Sequence, residues 1–334
     1  MIVSSASQTL ITGVYRTGTE FVAQLVSGHP HLSSTMYHVN APRFVADRYD
    51  PLAENLDRAL AETAERLRER YDLCVDTAAV AGEIHRRGVT WATFYDVLVS
   101  ALWLAGDKVH WAEKCQLVWR QIPEFVATMP NGRAIMVIRD PRSVLASFKS
   151  YTFAQPPAYL GAVFNCLDAM AHAERFARDL GPQRFLAIRY EDAAAAPQQT
   201  ADGIYRFLGL DPALAVFDRS TWRNDKGEPW LANSSFQNTA DFDVQASINR
   251  WRDKLEDWEI AFAEHVCGDR MGGFGYRPSG AVMDWHRSLA AILPDPVMAG
   301  HLHRFVATGQ GIQAFPSDPL DKSNWEENAK KATE

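Results

Sequence analysis

Two apolar runs in the first half of the chain each end in a polar turn and lead into an amphipathic segment. The run QTLITG ends at Gly13, and TEFVAQLVSG then carries apolar residues at helical spacing. RAIMVIRDPRSVLASFKSY repeats this order, with Arg139 closing the run and Pro141 placed in the first helical turn. The pattern predicts two units of strand, turn and helix.

Later segments extend the same alternation. Helical spacing predicts helices over 51–71, 89–106 and 198–210, the last of them closed by Gly209. Apolar runs at 107–114 and 183–192 predict two further strands. Strands that alternate with helices favour a parallel sheet covered on both faces, in which ligands bind at the carboxyl ends of the strands. We therefore expect an α/β fold.

Composition narrows the range of partners. The 334 residues are 47% hydrophobic, which is ample for a core, and 34 basic against 41 acidic residues give a net charge of -7. That charge repels polyanions, so we expect no nucleic-acid partner, and an anionic ligand must be held by a local cluster of donors. No run approaches the ~20 apolar residues of a membrane span, and the amino terminus lacks the pattern of a signal peptide. We therefore expect a soluble, cytoplasmic protein. We also expect no metal site, because the four cysteines are far apart and form no C-x-x-C pair.

The first turn, GVYRTGTEF, has the glycine spacing of a phosphate-binding P-loop without its other residues. Gly13 and Gly18 fit G-x-x-x-x-G-K-[ST], but Thr19 and Glu20 stand where the Lys and the magnesium-binding hydroxyl belong. The cation is Arg16, two residues before the second glycine. This loop is either an anion cradle that works without a metal or an ordinary turn between a strand and a helix.

The second turn offers another anion site. Arg139 closes the strand, and Ser147 lies two turns into the helix that follows, so an anion between the two elements could meet both side chains. A surface turn with an Asp-capped helix would produce the same sequence. Two anion sites at neighbouring strand ends suggest a ligand with phosphates at both ends of a nucleoside.

At these motifs the chain resembles the sulfotransferases that use 3'-phosphoadenosine 5'-phosphosulfate (PAPS). RTGTEF matches the family's loop [KR]-[ST]-G-[ST]-[TS]-[FWL] except at Glu20, and RDPRSVLAS matches R-D-P-R-x-x-x-x-S in full. YED and FLG at 190–192 and 207–209, and the later INRWRDKL and MGGFGY, are similar to further family signatures in the same order. The resemblance covers residues 8 to 277.

The resemblance implies a single sulfotransferase domain over residues 1–277, with a central parallel sheet flanked by helices in a P-loop NTPase-like fold. Residues 278–334 would be a C-terminal extension of unknown role. It further implies in-line transfer of a sulfuryl group, without a metal, from PAPS to a hydroxyl or amine of a small-molecule, carbohydrate or lipid acceptor. Arg16 would lie beside the leaving oxygen, Arg139 and Ser147 would hold the 3'-phosphate, and Tyr190 would contact the adenine. The predicted cofactor-binding residues are Arg16, Thr17, Gly18, Thr19, Glu20, Phe21, Arg139, Ser147, Tyr190, Lys226, Trp230, Asn233 and Ser234.

The general base does not follow the pattern of the cytosolic relatives. They carry K-T-H after the middle strand, where this chain has Lys114, Cys115 and Gln116, so Lys114 matches the family lysine and the catalytic His is replaced. We expect Lys114 to support the sulfuryl oxygens. We predict His38 as the base, because its segment holds no carboxylate; Glu20, Glu113 and His110 are the alternatives.

The polar stretch 219–243 is long for a structureless loop and is therefore expected to cover the cofactor. It offers Lys226 to a phosphate, Trp230 as an apolar lid, and Asn233 and Ser234 as hydrogen-bond donors. Two other functions fit parts of the sequence. A P-loop small-molecule kinase would need the missing Lys and hydroxyl, and a catalytically silent nucleotide-binding module would not need Arg16.

Overall fold

Five parallel strands form the centre of the protein. The computed structural model describes residues 7–46, 48–151, 157–230 and 244–315. The strands are β1 (Ser7–Gly13), β2 (Leu32–Met36), β3 (His110–Lys114), β4 (Arg133–Ile138) and β5 (Phe185–Arg189), in the order β2-β3-β1-β4-β5. Every neighbouring pair is parallel, so all five carboxyl ends meet at one edge. The predicted α/β fold with a central parallel sheet is confirmed.

Helices cover both faces of this sheet. The first eight in the described part of the chain are α1 (Thr19–Leu25), α2 (Ala41–Phe44), α3 (Leu52–Tyr71), α4 (Thr77–Arg87), α5 (Trp91–Trp103), α6 (Ile122–Thr128), α7 (Pro141–Tyr151) and α8 (Gly161–Asp179). The others are α9 (Tyr190–Ala195), α10 (Pro197–Leu208), α11 (Val244–Asn249), α12 (Trp251–Lys254), α13 (Asp257–Gly273), α14 (Trp285–Ile292) and α15 (Pro296–Thr308).

Strand residues alternate between two hydrophobic layers. Leu10 and Met136 belong to the larger layer, whereas the adjacent Ile11 and Val137 belong to the smaller layer with α1 and α10. This is the two-residue period of a strand that is buried on both faces. Each such side chain contributes about 1.5–3 kcal/mol by leaving water.

The topology places the two polar turns next to each other. β2 and β3 lie on one side of β1 in the sheet, and the later strands β4 and β5 lie on the other side. Such a reversal of strand order leaves a crevice between the loops that follow the two strands at the reversal, here β1 and β4. Those loops carry Arg16 and Arg139.

Most of the predicted elements are present. The helices expected over 51–71, 89–106 and 198–210 correspond to α3, α5 and α10, and Gly209 ends α10 in the left-handed conformation at φ 76°. The hydrophobic pattern does not indicate β2, because its sequence, LSSTM, has three small polar residues in a row. They are nevertheless largely buried, because α1 and β3 pack around them.

The extension packs onto the same core as the rest of the chain. α14 contacts α13, α15 contacts α8, and Ile292, Met298 and Leu302 are buried in the larger layer. The Ile312 N–H donates to the carbonyl of Phe164 at 3.1 Å. Residues 285–315 therefore form part of one packing unit with α8 and α13, and the boundary at residue 277 stays a prediction. No helix in the described ranges is long and apolar enough to cross a membrane.

Candidate active site

Both glycines of the loop after β1 are needed for close packing. A Cβ on Gly13 would lie 2.6 Å from the carbonyl oxygen of Val137, and one on Gly18 would lie 2.3 Å from the ring of Tyr190. Gly18 also has φ +91°, which side chains rarely adopt. Within the described residues no side chain caps α1 at Gly18, which leaves the first N–H groups of the helix for another acceptor. The loop therefore packs closely against β4 and Tyr190, and its role as an anion cradle stays a prediction.

The structure brings the two predicted anion sites together through Arg16. Its Nε donates to Ser147 Oγ at 2.9 Å, and its carbonyl oxygen accepts from Arg139 Nη1 at 2.8 Å. Arg16 itself has φ 71°, a strained conformation for a residue with a side chain. The loops after β1 and β4 thus form a single site.

Arg139 is buried against an aromatic ring and a helix end. Its guanidinium carbon lies 4.2 Å from the centre of the Tyr190 ring, and Nη2 donates to the carbonyl of Ser247 at 2.7 Å. The Tyr190 hydroxyl donates to Ser247 Oγ at 3.1 Å. Half-buried Arg250 lies close by: burial first, and then the charge of Arg139, lower its pKa. Two guanidinium groups that converge in this way favour an anion between them.

Sequence reasoning missed Arg250. It precedes Trp251 in INRWRDKL, where only the resemblance to a family signature singled out the segment. The pattern of charges along α11 and α12 does not show which arginine turns inward, because that depends on how the two short helices pack against α7 and α9.

Two buried polar networks hold the strand ends in place. Arg142 forms ion pairs with Asp140 and Glu264, both at 2.6 Å. Glu191 accepts from the Asp140 N–H at 3.1 Å and from the Tyr276 hydroxyl at 2.8 Å. The RDPR, YED and FGY signatures therefore include residues that position the site as well as residues that face it.

Lys114, at the carboxyl end of β3, is a buried cation with an unused hydrogen-bonding capacity. Its Nζ lies 4.1 Å from the centre of the Tyr37 ring and has no hydrogen-bond partner among the described residues. Burial lowers the pKa of Lys114 from 10.5 to about 8, while the carboxylates of Glu20 and Asp225 oppose that shift. A buried ammonium group without a partner is costly, and an anion beside it would remove the cost.

The surroundings of His38 do not suit the role of a base. Its Nδ1 accepts from the Thr35 hydroxyl at 2.5 Å and from the Met36 N–H at 3.2 Å, so the proton is on Nε2, which donates to the Asp225 carbonyl at 2.9 Å. Burial lowers the pKa of His38 to about 4. Both nitrogens are occupied within the protein, so this arrangement disfavours His38, although its assignment as the base stays a prediction.

Glu113 and His110, two of the alternative bases, lie in positions that do not suit a base. Buried Glu113 accepts from the N–H groups of Val39 and Asn40 at 2.8 and 3.0 Å and from the Tyr95 hydroxyl, so it anchors the segment after β2. His110 begins β3, at the opposite edge of the sheet from the strand ends that carry Arg16 and Lys114. Neither position fits a group that takes a proton from an acceptor.

Glu20 lies under the predicted covering loop. Its Oε1 accepts from Trp230 Nε1 at 2.8 Å, and the Trp230 ring stacks on Phe21 with 6.4 Å between centroids. The carboxylate of Glu20 is therefore hydrogen-bonded to the segment that follows Arg219. Trp230 thus closes over the start of α1, as a lid would.

The other predicted cofactor residues differ in how they are placed. Thr17 is buried and its hydroxyl donates to the Val14 carbonyl at 2.8 Å, so that proton is already used, while Thr19 is buried beside it. Lys226 lies exposed in the turn that follows Asn224, and its contact with a phosphate stays a prediction. Asn233 and Ser234 lie outside the described residues.

The residues present fit a nucleotide with phosphates at both ends. Four cations gather at this edge of the sheet: the charges of Arg16 and Lys114 interact, as do those of Arg139 and Arg250, and Arg139 also donates to the carbonyl of Arg16. This local charge opposes the net charge of -7 and supplies the donor cluster that an anion requires. The aromatic ring of Tyr190 lies between the loops, against Gly18 and Arg139.

Comparison with known proteins agrees with this geometry. A sequence model of the sulfotransferase family matches residues 9–213. Carbohydrate sulfotransferase 1 of Rattus norvegicus is 24% identical over 336 residues, which span 82% of this chain and 80% of that protein. Its counterpart in Homo sapiens is 27% identical over 168 residues, 44% of this chain and 39% of that protein.

Solved structures share the fold. The sulfotransferase domain from the Synechococcus PCC 7002 olefin synthase superposes with a TM-score of 0.55 at 19% identity, over 82% of this chain and 96% of that domain. The sulfotransferase domain from the curacin biosynthetic pathway superposes with a TM-score of 0.51 at 17% identity, over 82% and 99%. With the family match over more than half of the chain, the conclusion is that this protein belongs to the sulfotransferase family and is a PAPS-dependent sulfotransferase.

Proposed function

We propose that the protein sulfates a hydroxyl group of a carbohydrate, with Lys114 stabilising the charge on the transferred group. The observation that carries this proposal is the buried Lys114 Nζ, which has no hydrogen-bond partner in the described part of the chain. It lies at the end of β3, next to the cradle that Gly13 and Gly18 form after β1. A fixed cation in a water-poor site stabilises developing negative charge without reorganising.

The other three cations, Arg16, Arg139 and Arg250, bind the phosphate groups of the cofactor in this proposal. When bound, PAPS supplies a sulfuryl group whose bond to the 5'-phosphate oxygen breaks as a bond to the acceptor oxygen forms. Arg16, held by Ser147 at 2.9 Å, neutralises charge on that departing oxygen. Arg139 and Arg250 hold the 3'-phosphate, and Arg139 is fixed beforehand by its hydrogen bonds to the carbonyls of Arg16 and Ser247. Transfer without a metal stays a prediction, as does a cytoplasmic location.

The carbohydrate acceptor is supported by the related proteins. Both carbohydrate sulfotransferase 1 sequences align with this chain, one of them over 82% of its length. A sugar hydroxyl must lose its proton as the new bond forms, so a base is needed near Lys114. We favour Glu20, because it is half-buried and close enough to Lys114 for the two charges to interact.

Two variants separate a base from an anchor at this position. Glu20→Gln keeps an oxygen that accepts from Trp230 but cannot take a proton, whereas Trp230→Phe removes the donor and leaves the carboxylate. If Glu20 is the base, kcat for sulfate transfer falls by about 10²–10⁴-fold in Glu20→Gln and much less in Trp230→Phe. Equal losses in the two variants would assign Glu20 to anchoring the loop.

Calorimetry with two nucleotides tests the assignment of the cofactor site. We expect 3'-phosphoadenosine 5'-phosphate to bind more tightly than adenosine 5'-phosphate, because only the former offers an anion to Arg139 and Arg250. Arg139→Ala should weaken the first ligand about ten-fold or more and leave the second nearly unchanged. Arg178→Ala, on the exposed end of α8, is the matched control. Tighter binding of ATP that depends on magnesium would contradict the proposal.

A further inference from the structure

A second cavity lies outside the loops that form the active site. It has a volume of about 640 Å³ and opens between α8, α13 and α15. Its lining comprises Arg120, Leu167, Asp168, Ala171, His172, Arg175, Arg270, Arg304, Thr308, Gly309, Gln310 and Gly311. This size is within the range of small-molecule sites, and the extension supplies a large part of one wall.

The lining is strongly basic in an acidic protein. Among the described residues of the lining there are four arginines and one carboxylate, that of Asp168. Burial lowers the pKa of His172, which disfavours the charged form of this ring. Glu174, next to the cavity, pairs with Arg270 at 2.5 Å. Even with Glu174 counted, two positive charges are left over. The cavity therefore presents a concentrated positive field on a chain whose net charge is -7.

Two of the arginines are available to a ligand. Arg120 is engaged by Asp168 at 2.7 Å, and Arg270 by Glu174. Among the residues that the structure describes, Arg304 donates to neutral oxygens, those of Gly311 and Gln310. Arg175 has no carboxylate partner in the described part of the chain. Guanidinium groups in this state bind sulfate and carboxylate groups through forked hydrogen bonds.

We propose that this cavity binds an acidic segment of a sulfated oligosaccharide, through Arg175 and Arg304. The proposal rests on the proposed carbohydrate acceptor, of which this would be a remote part. The described lining holds no Phe, Tyr or Trp on which a nucleotide base could stack, so a sulfated sugar fits better than a second nucleotide. Several anionic groups on one chain also match several arginines around an open cavity.

A short segment of the extension links the cavity to the active-site loop. Gly311 lines the cavity, and Phe315 lies on Arg43, with 4.4 Å between the guanidinium carbon and the ring centre. Arg43 Nη1 donates to the Tyr15 hydroxyl at 2.7 Å, and Tyr15 belongs to the loop after β1. Four steps of extended chain span at most about 14 Å. The segment thus runs from the cavity wall to a residue that contacts the active-site loop, and the proposed oligosaccharide would follow this segment toward the transfer site.

Binding of a sulfated hexasaccharide to the full chain tests the proposal, with its desulfated form as the comparison. We expect calorimetry at low salt to show binding of the sulfated form only. The affinity should fall at least ten-fold in Arg175→Gln and further when Arg304→Gln is added. Arg178→Gln, on the same helix but outside the lining, should change it little. Thermal unfolding of each variant checks that the fold is retained.

The outcomes separate this site from the active site. The proposal is overturned if the desulfated form binds equally, if the double variant binds as tightly as the parent, or if inorganic sulfate alone binds as tightly as the hexasaccharide. Binding of 3'-phosphoadenosine 5'-phosphate is measured in the same variants and should not change. If the parent protein does not bind the nucleotide, the proposed function is contradicted. The hexasaccharide measurement would still show whether the cavity binds a sulfated sugar.

Discussion

Lys114 carries a positive charge that the fold removes from water without giving it a hydrogen-bond partner among the described residues. Its neighbours are a ring, that of Tyr37, and the charges of Glu20, Asp225 and Arg16. A buried charge without a hydrogen-bond partner costs stability in the ligand-free protein, and groups with perturbed pKa values of this kind cluster at functional sites. The depressed pKa of Lys114 gives the function a pH dependence.

We expect Lys114→Met to lower kcat for sulfate transfer by about 10²–10³-fold, the usual effect of removing one donor to a developing anion. In the parent, kcat/KM for PAPS should fall as the pH rises through about 8, because Lys114 then loses its proton in the free enzyme. Lys114→Arg should move that fall to higher pH. Initial rates between pH 6 and 10 provide the measurement. An unchanged descending limb in Lys114→Arg would remove Lys114 from this role.

The buried, neutral ring of His38 leads to a prediction about how the free energy of unfolding depends on pH. Its pKa is about 4 in the folded chain and 6.5 for an exposed histidine, so between these values the unfolded state binds a proton that the folded state does not. The free energy of unfolding is therefore unaffected by His38 above pH 6.5 and decreases as the pH falls through this window. Between pH 7 and pH 5 the loss is about 2 kcal/mol.

Urea unfolding at the two pH values checks this. His38→Gln should lose about 2 kcal/mol less than the parent between pH 7 and pH 5. Replacing His303, which is exposed on α15, by Gln is the matched control. If the parent and His38→Gln show the same pH dependence, the ring is not held neutral in solution.

At the scale of elements, the loop after β1 is defined by what lies against it. The ring of Tyr190, at the start of α9, fills the space that a side chain on Gly18 would need. Tyr190 is in turn held by Arg139 and Ser247. The cradle, the strand end after β4 and the start of α9 therefore depend on one another.

A pair of glycine variants distinguishes this packing from simple backbone strain. Gly18→Ala and Gly209→Ala both place a side chain at positive φ, but only the first meets a ring, since nothing lies within 4 Å of a Cβ on Gly209. We expect Gly209→Ala to cost about 1–2 kcal/mol and to leave nucleotide binding intact. Gly18→Ala should cost more and weaken 3'-phosphoadenosine 5'-phosphate at least ten-fold. Chemical unfolding measures the free energy of unfolding, and calorimetry measures the affinity for the nucleotide. Equal effects in both variants would contradict the packing argument.

At the scale of the whole molecule, the described part of the extension, residues 278–315, packs on the core of the sulfotransferase fold. Met298 of α15 is 5% exposed and lies close to Gly161 at the start of α8. Gly311 fits against the Phe164 carbonyl so closely that a Cβ there would come within 2.2 Å. These contacts couple α15 to α8, and α8 in turn packs on β4 and β5.

We expect Met298→Ala to lower the free energy of unfolding by about 2–5 kcal/mol in a single transition that includes the core. Val297→Ala, on the neighbouring residue that is 59% exposed, should change it by less than about 0.5 kcal/mol. Denaturant curves followed by fluorescence and circular dichroism supply the test. A separate early transition for Met298→Ala would mean that the extension unfolds independently.

Sequence alone determined the α/β class and the location of the glycine-containing loop after β1. The run that became β4 is apolar from Ala134 to Ile138, and β1 has Leu10 and Ile11 at its centre, because both faces of the sheet are covered; that signal is local. Arg16, Gly18, Arg139 and Ser147 follow those runs at spacings that motif reasoning can detect. What the pattern left open was whether the two turns form one site.

Tertiary structure decided that point and the roles of the titratable residues. The order β2-β3-β1-β4-β5 puts Arg16 within hydrogen-bonding distance of Ser147, which is 131 residues away. His38 and Lys114 are both isolated polar residues in the sequence, but the fold gives His38 partners on both nitrogens and Lys114 none among the described residues. Burial and pairing depend on contacts between distant segments, and these set the pKa and availability of a side chain. For that reason the sequence could propose a catalytic base, but only the packed structure could show that His38 is already engaged.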